Sequence, residues 1–445
     1  MKRIVILGAG PMGLGAAYRL KQLGYENFVV YDKNDYVGGL ATSFVDDAGF
    51  TWDIGGHVIF SHYPFFDDFM ADMVSETVAH GRESWVWLQN QFIAYPFQNN
   101  FHFLPDDVVF ECVNGLHEAP AKYPDYNNFK EWIYHRFGDG IAKYFMIPYN
   151  FKVWATPAEL MDHDWIAERV SVIDMKMILG NIVYKKKDAG WGPNATFDFP
   201  LVGGTGGLYT PMKGRLGDRL KLERELVSLD PVNKRLRFDT GEEETYDHLI
   251  SAAALDQLVP LCTEAPDAVR KAASEMMFSG GWIIGIGIRR PCPSEKNWIY
   301  FPEDNCPFYR VTYLSNYSPH IAPDANHFSL LCESSESRFK PLSREQAVEQ
   351  TIQGLINVGF LAESDRDLIV STYVIRRDHT YPIPFVGRDE RLNTLHDWLE
   401  SQNILSRGRF GGWKYEVGNM DHSVQMGKEA VDRIVSHSPE TVYTR

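Results

Sequence analysis

The sequence predicts an α/β protein of two or three domains, and three observations carry this prediction. The chain has 445 residues, which is too many for one hydrophobic core. It opens with a strand, a glycine-rich turn, a helix and a second strand, the pattern of a βαβ unit. A mostly helical stretch follows between residues 105 and 187, and the run W-I-I-G-I-G-I at 282–288 alternates as a strand does.

The opening unit is assigned from its side chains. Residues 3–7 form a short β-branched run, which is typical of a buried parallel strand. Residues 12–23 place apolar side chains on one face of a helix, and Gly24 can end this helix in a left-handed conformation. The second strand is Phe28–Tyr31. Glycines interrupt the apolar start from Gly8 onward, so we interpret it as a strand and not as a signal peptide.

The turn between the first strand and the helix has the spacing of a dinucleotide site. Gly8 permits a tight turn, Gly10 lets the backbone approach a pyrophosphate, and Gly13 allows the helix to pack closely on the strand. The helix then presents free N–H groups to the phosphates. Asp32 ends the second strand, where its carboxylate can accept hydrogen bonds from a ribose diol and would repel a 2′-phosphate. The context predicts dinucleotide binding rather than a structural glycine turn.

Two further features favour FAD over NAD. Gly38 and Gly39 follow Asp32 at a spacing that resembles the extended fingerprint of FAD enzymes related to amine oxidases, although a surface turn would also use such a pair. A helix is predicted from about 423 to 435, with Asp421 or Ser423 as its cap. Its positive N-terminus would stabilise a reduced flavin, and the alternative is an ordinary closing helix of the domain.

Composition limits the partners. The net charge is −15 and the pI is near 5.4, so we expect no binding to nucleic acid or to anionic membranes, and a phosphate-bearing substrate needs local arginines. The five cysteines form no C-x-x-C motif, which favours reduced thiols and a cytoplasmic protein over disulfides or zinc. No apolar run is long enough to predict a transmembrane helix.

Several ordered segments resemble the UDP-galactopyranose mutase family, specifically its eukaryotic-type branch. They include G-G-H-V-I-F-S-H-Y at 55–63, Y-P-F-Q-N-N at 95–100, P-Y-N-F-K-V-W-A at 148–155, W-G-P-N-A-T-F at 191–197, Y-F-P-E-D-N-C-P-F-Y-R at 300–310 and S-R-G-R-F-G-G-W-K-Y-E-V-G-N at 406–419. The blocks span nearly the whole chain. The resemblance implies an isomerase that interconverts UDP-galactopyranose and UDP-galactofuranose through a reduced-flavin N5–sugar adduct, with no net redox change.

The resemblance assigns the diphosphate contacts. Arg169 and Arg310 match the family's diphosphate-binding arginines, and the planar guanidinium suits bidentate binding of phosphate oxygens. Tyr300, Tyr381 and Tyr415 match tyrosines whose hydroxyls contact the same diphosphate. Without the resemblance, each arginine would be read as a surface ion pair and each tyrosine as core or surface filler.

The resemblance also assigns the uridine and sugar contacts. Phe97, Gln98 and Asn150 match residues around the uridine, where an aromatic face stacks on uracil and amides read its edge. Trp154 and Asn194 match residues that line the sugar pocket. From the sequence alone these would be core aromatics and turn amides.

The flavin and its reductant complete the predicted site. His57 matches a histidine beside the flavin, so His57, Arg169 and Arg310 are the catalytic candidates. The remaining cofactor-binding candidates near the flavin are Gly56, Arg409, Asn419, Met420 and Ser423. The candidates for binding NADPH or NADH as reductant are Arg82, Ser84, Tyr95 and Arg409. We expect no metal, since no third ligand stands at a metal-like spacing from His57 and His62.

The resemblance implies a Rossmann-like FAD-binding domain with a helical insert and an antiparallel β-sheet domain. The FAD domain is expected at 1–82, 195–280 and 385–445, and the sheet domain at 83–104 and 281–384. The helical substrate domain is expected at 105–194, with a lid over the substrate near 184–194. The substrate is expected to be UDP-galactose, and a homo-oligomer is compatible with the sequence.

Three alternative functions remain compatible with parts of the sequence. A flavin oxidase of the amine or protoporphyrinogen oxidase type shares the fold and the FAD fingerprint, but it should lack the arginine pair and the uridine-binding blocks. A mutase for a related UDP-sugar would keep both. A non-catalytic nucleotide-binding protein would keep the fold alone.

Overall fold

The structure is a computed structural model that describes residues 1–166, 170–171, 174–188, 192, 195–343 and 345–444. The strands, numbered along the chain, are β1 (Ile4–Leu7), β2 (Phe28–Tyr31), β3 (Ser43–Val45), β4 (Thr51–Asp53), β5 (Thr77–Gly81), β6 (Ser84–Leu88), β7 (Gln91–Ala94), β8 (Thr196–Pro200), β9 (Leu220–Lys221), β10 (Leu226–Asp230), β11 (Arg235–Phe238), β12 (Glu243–Thr245), β13 (His248–Ser251), β14 (Phe278–Ile288), β15 (Trp298–Tyr300), β16 (Arg310–Tyr313), β17 (Phe328–Glu336), β18 (Ile369–Pro382) and β19 (Ile404–Ser406). The helices are α1 (Pro11–Gln22), α2 (Pro64–Met73), α3 (Phe97–Asn100), α4 (Asp106–Lys122), α5 (Phe129–Ile141), α6 (Ile147–Trp154), α7 (Met175–Tyr184), α8 (Met212–Leu216), α9 (Leu255–Leu258), α10 (Asp267–Ser274), α11 (Ala347–Asn357), α12 (Arg388–Ser401), α13 (Gly408–Gly411) and α14 (Met420–Ser436).

A parallel sheet forms the centre of the first layer. Its strand order is β19-β13-β1-β2-β9, and all pairs run parallel. Every residue of β1 and β2 is buried, as expected for strands covered on both faces. The predicted Rossmann-like α/β layer is therefore confirmed, with α1 starting at Pro11, one residue earlier than predicted.

Helices α1 and α14 pack closely against each other because glycines lie where they cross. A Cβ atom on Gly427 would come within 2.1 Å of the Met12 carbonyl oxygen. A Cβ atom on Gly15 would come within 2.5 Å of the Val424 carbonyl oxygen. The crossing brings the N-termini of both helices to the same side of the parallel sheet.

A second, mixed sheet covers the other side of the molecule. Its order is β18-β14-β17-β16-β15-β6-β7, and its pairs are antiparallel except for β6 with β15. The register sets Tyr300 opposite Arg310, and Arg310 opposite Glu333. Three neighbouring strands thus place these side chains in one row.

The helical region contains α4, α5, α6 and α7. Asn128 caps α5, because its side chain accepts a hydrogen bond from the Glu131 N–H. Phe129 and Phe137 point into the core from this helix. Among the described residues, no helix is both long enough and apolar enough to cross a membrane.

The start of the last helix corrects the prediction. Helix α14 begins at Met420 with Asn419 as the N-cap, and Ser423 lies inside it. Asp421 does not cap the helix, because its carboxylate accepts a hydrogen bond from His62 Nδ1 at 2.7 Å instead. A partner 359 residues away is not visible in local sequence.

Candidate active site

One cavity of about 1040 Å³ lies between the two sheets. The glycine turn after β1 and the first turns of α1 and α14 line one side of it. Arg310 and Tyr381, from the mixed sheet, line another side. A cavity of this size and lining can hold a large dinucleotide and still leave polar groups for a second ligand.

The turn after β1 has the geometry of a phosphate-binding loop. Gly8 has a φ of +105°, a conformation that favours glycine, and its N–H donates to the Tyr31 carbonyl at 2.7 Å. A Cβ atom on Gly13 would stand 1.8 Å from the Gly8 carbonyl oxygen, so only glycine fits there. Gly10 is the N-cap of α1 and offers no side-chain cap, which leaves the first N–H groups of the helix to a phosphate.

Asp32 is fixed at the end of β2, beside this turn. Its Oδ2 accepts from the Ala9 N–H at 2.6 Å, and its Oδ1 accepts from the Asn34 N–H at 2.8 Å. Burial raises the pKa of Asp32, although these hydrogen bonds partly offset the rise. The carboxylate lines the cavity, where it suits a ribose diol.

Gly38 and Gly39 pack against the outer side of the glycine turn that follows β1. Gly38 has a φ of +96°, and its N–H donates to the Ala9 carbonyl at 2.8 Å. A Cβ atom on Gly39 would lie 3.2 Å from the Cα of Gly10, so the two glycine turns are in contact. Gly10 and Gly39 line the cavity, while Gly13 and Gly38 shape the backbone behind it. These features fit a bound FAD.

The N-terminus of α14 faces the same cavity. Asn419, Met420 and Ser423 line it, and the N-cap makes no side-chain hydrogen bond to the helix. The uncapped N–H groups suit a ligand that carries negative charge, such as a reduced flavin ring. Burial opposes ionisation of Asp421, but the neighbouring imidazoles of His422 and His62 outweigh it and lower the pKa of this carboxyl.

His57 lies in the cavity wall, and it remains neutral near neutral pH. Burial lowers the pKa of His57 to about 4, although Glu333 works in the opposite direction. Among the described residues, Nδ1 of His57 has no hydrogen-bond partner. A buried imidazole nitrogen without a partner is suited to a polar atom of a ligand.

Arg310 is held by a network that the sequence did not predict. Glu333 accepts from Nε of Arg310 and, at 2.7 Å, from Nη2. Tyr309 donates to Glu333 at 3.1 Å and lies 3.2 Å from the hydroxyl of Tyr381. Burial opposes the charge on Arg310, but Glu333 outweighs it and holds the pKa well above its usual value. The two carboxylate oxygens of Glu333 fix the plane of the Arg310 guanidinium and leave its Nη1 available to an anion.

The tyrosine pair lies beside Arg409. The Arg409 guanidinium is 5.1 Å from the ring centre of Tyr381 and 5.5 Å from that of Tyr415. Its Nε and Nη1 donate to the carbonyls of Thr380 and Gly418 at 2.9 and 3.1 Å. Tyr381, Tyr415 and Arg409 all line the cavity, so the structure brings these predicted residues together.

The predicted uridine contacts lie on helix α6 and next to it. Phe97 is fully buried, with its ring stacked on Phe145 at 4.7 Å, so it offers no free face to a base. Gln98 donates to the Ser171 carbonyl at 3.1 Å, while its Oε1 has no partner among the described residues. That oxygen can accept from an N–H of uracil.

Tyr149, on helix α6, is a further aromatic candidate for the uridine. Its ring stacks on Phe145 at 4.8 Å and meets Tyr300 edge-on at 5.2 Å. It is only partly buried, unlike Phe97. The signal was present in the segment 148–155, but nothing local separated Tyr149 from a core tyrosine. On the same helix, Trp154 donates from Nε1 to Asn150 Oδ1 at 3.3 Å.

The predicted reductant residues form a cluster near Tyr300. The Arg82 guanidinium lies 5.5 Å from the Tyr95 ring centre, and the Tyr95 ring lies 5.3 Å from that of Tyr300. Ser84 begins β6 beside them and is buried. Arg82 and Ser84 do not border the main cavity. The predicted contacts of Arg169 and Asn194 lie outside the described residues, as does part of the predicted lid.

Among the described residues, two groups of side chains could hold a metal ion: His62 with Asp421 and His422, and Asp162 with His163 and Asp164. His62 gains two possible co-ligands, Asp421 and His422, with all ligand atoms within 4.8 Å of one another. Because His62 and Asp421 are 359 residues apart in the sequence, the spacing of ligands along the chain could not reveal this cluster. The direct hydrogen bond between His62 and Asp421 accounts for its geometry, and His57 takes no part in it.

Comparison with known proteins gives the family context. A model of flavin-containing amine oxidoreductases matches residues 132–435, and a model of NAD(P)-binding Rossmann-like domains matches residues 6–73. The crystal structure of a reduced UDP-galactopyranose mutase superimposes with a TM-score of 0.96 at 44% identity, over 99% of this chain and 95% of that one.

More distant comparisons support the fold but carry no information on function. A putrescine oxidase matches with a TM-score of 0.68 at 15% identity, over 98% of this chain and 99% of that one. A fatty acid isomerase from P. acnes matches with a TM-score of 0.66 at 13% identity, over the same two shares. A 1-hydroxycarotenoid 3,4-desaturase of Flavobacterium sp. (strain P99-3) is 44% identical over 55 residues, which are 12% of this chain and only 11% of the desaturase.

Proposed function

Because the chain belongs to the UDP-galactopyranose mutase family, within the flavin-containing amine oxidoreductases, we propose that it interconverts UDP-galactopyranose and UDP-galactofuranose on a reduced FAD. One observation carries this proposal. The cavity that begins at the glycine turn of β1 continues to Arg310 and Tyr381, so a dinucleotide site and a diphosphate site share one space. An amine oxidase needs the first site but has no use for the second.

The residues around the diphosphate each have a defined task in the proposed reaction. When bound in this cavity, a reduced FAD would supply the nucleophilic chemistry for displacement of UDP from the anomeric carbon. Arg310 then stabilises the diphosphate that leaves, and Glu333 keeps the guanidinium in position for it. The hydroxyls of Tyr381 and Tyr415 donate to the same diphosphate without adding charge.

His57 and the uridine residues have positioning tasks. A neutral His57 can exchange hydrogen bonds with the flavin edge without placing a second cation next to Arg310. Gln98 and Tyr149 take the uracil, by the amide oxygen and by the aromatic face. These contacts hold the sugar over the flavin while UDP is detached and rebound.

The reductant and the compartment belong to the same proposal. NADPH or NADH would reduce the flavin from the side of Arg82, Ser84 and Tyr95, with Arg409 near the ring. The five cysteines are unpaired, which supports a reducing compartment such as the cytoplasm. The lid predicted near 184–194 would exclude water from the detached sugar.

A binding experiment separates this proposal from the oxidase alternative. UDP is titrated into the flavin-loaded protein while the flavin absorbance is recorded. We expect saturable binding that Arg310→Lys weakens about tenfold or more, because lysine cannot form the guanidinium fork. Arg19→Lys is the matched control, since Arg19 pairs with Asp432 at 2.7 Å outside the cavity. Failure of UDP to bind, together with peroxide release from an added amine, would support the oxidase.

A further inference from the structure

Lys152 is a buried cation that the proposed reaction does not use. It lies on helix α6, is 3% exposed, and does not border the main cavity. Its Nζ donates to the carbonyl oxygens of Glu303 at 2.7 Å and Cys306 at 2.9 Å, and it lies 3.4 Å from the Cys306 thiol. Burial lowers the pKa of Lys152. An ammonium kept in such a place calls for a structural reason.

The loop that Lys152 holds has a special position in the site. Residues 301–309 connect β15 to β16, so the loop joins Tyr300 at one end to Arg310 at the other. Both ends are predicted to contact the diphosphate. The loop therefore links the two predicted diphosphate contacts, while Glu333 on β17 sets the plane of the Arg310 guanidinium.

The helix that carries Lys152 belongs to the other half of the site. Asn150 and Trp154 lie on one face of α6, four residues apart and hydrogen-bonded to each other. Lys152 lies between them in sequence and so projects from the opposite face. One face of α6 thus carries the predicted uridine and sugar contacts. The opposite face donates hydrogen bonds to the loop at 301–309, which joins the two predicted diphosphate contacts.

We infer that Lys152 is a positioning residue that fixes the distance between the nucleoside half of the site on α6 and the diphosphate half on the β15–β16 loop. This inference rests on the proposed function. An ammonium suits the task because its three N–H donors can grip several carbonyls at once. Charge-assisted hydrogen bonds of this kind are stronger than neutral ones. The ligand it serves is a nucleoside diphosphate, which must span both halves.

Other contacts seat the same loop from its outer side. Asn357 donates to the Asn305 carbonyl at 2.9 Å, and the Gln89 N–H donates to Glu303 Oε2 at 3.1 Å. These two contacts tie the loop to α11 and to the β6–β7 turn. Among the described residues, only Lys152 ties it to α6 through backbone carbonyls.

The test compares Lys152→Met with the wild-type holoenzyme. Methionine keeps the length and the apolar stem but removes every donor. We expect the KM for UDP-galactofuranose to rise about tenfold while kcat changes less than about threefold. The substitution shifts the two halves of the site relative to each other but removes none of the residues that contact the substrate. Binding of UMP, which lacks the second phosphate, should weaken much less than binding of UDP. Lys152→Arg, which keeps charge and donors, should recover at least half of the lost UDP affinity.

The matched control is Arg215→Met. Arg215 also donates to a backbone carbonyl, that of Asp72, but it lies on α8, and neither residue borders the cavity. A merely structural role would lower the melting temperature of both variants and leave the KM of the folded fraction unchanged. An unchanged KM in Lys152→Met, or equal weakening of UMP and UDP, would overturn the inference.

A second variant and the turnover of the wild type complete the test. If Lys152→Met does not fold, Asn357→Ala loosens the same loop from an exposed position and should raise the KM about twofold to threefold; no rise would count against the inference. Absence of turnover in the wild-type protein would instead refute the proposed function. Turnover by the wild type with an unchanged variant refutes the inference alone.

Discussion

His57 gives the pH dependence of this site a definite sign. Burial lowers its pKa from 6.5 to about 4, so the folded protein disfavours the protonated imidazole. The stability that depends on neutral His57 is therefore complete above pH 6.5 and is lost as the pH falls through about 4. We expect the wild type to lose roughly 3 kcal/mol more than His57→Asn between pH 7 and pH 4. Urea unfolding at both pH values measures this, and equal losses would show that His57 does not titrate as described.

Gln98 is the second residue with a testable task. Its Oε1 is buried and has no hydrogen-bond partner within the described part of the chain, and a uracil N–H would satisfy it. Gln98→Met keeps the size but removes the acceptor, so UMP binding should weaken about tenfold. Uridine-free pyrophosphate should bind both forms equally. The assignment fails if UMP affinity is unaffected.

The residues that the sequence predicted well act through local geometry. Gly8, Gly10 and Gly13 are fixed by one turn, and their spacing contains the reason for each. Glu333 could not be predicted, because it reaches Arg310 only through the pairing of β16 with β17. Phe97 was assigned to the uridine through the family resemblance, and the complete burial of its ring is a property of tertiary packing that local sequence does not give.

At the scale of elements, the crossing of α1 and α14 sets the shape of the cofactor cavity. Gly427→Ala would place a methyl group 2.1 Å from the Met12 carbonyl oxygen, which must push the helices apart. We expect a loss of about 1–3 kcal/mol in stability together with weaker FAD retention. Gly214→Ala is the control, since open space surrounds that position in α8. Thermal unfolding and flavin release measure both; equal behaviour of the two variants would contradict this account.

The predicted elements agree with the structure wherever their signals are local. The mostly helical stretch predicted between residues 105 and 187 contains α4, α5, α6 and α7. The start of α14 was misplaced because the capping candidate Asp421 is taken by His62. The domain boundaries at 82, 194, 280 and 384 stay a prediction.

At the scale of the whole molecule, function arises from the joining of two sheets. The parallel sheet supplies a dinucleotide turn, and the mixed sheet supplies Arg310 among tyrosines. The chain carries a net charge of −15, so the proposed diphosphate substrate would have to be recognised by a local site against the overall field. Such a division of labour could be predicted from the sequence only through family resemblance, because no periodicity reveals which loops meet.

The central claim is that a reduced flavin in this cavity interconverts the two UDP-galactose ring forms. The most direct test incubates the purified FAD-loaded protein with UDP-galactofuranose, with and without dithionite, and separates the products by chromatography. The account predicts that UDP-galactopyranose accumulates only in the reduced sample. No conversion in a reduced protein that retains its FAD, or equal conversion in both samples, would contradict it.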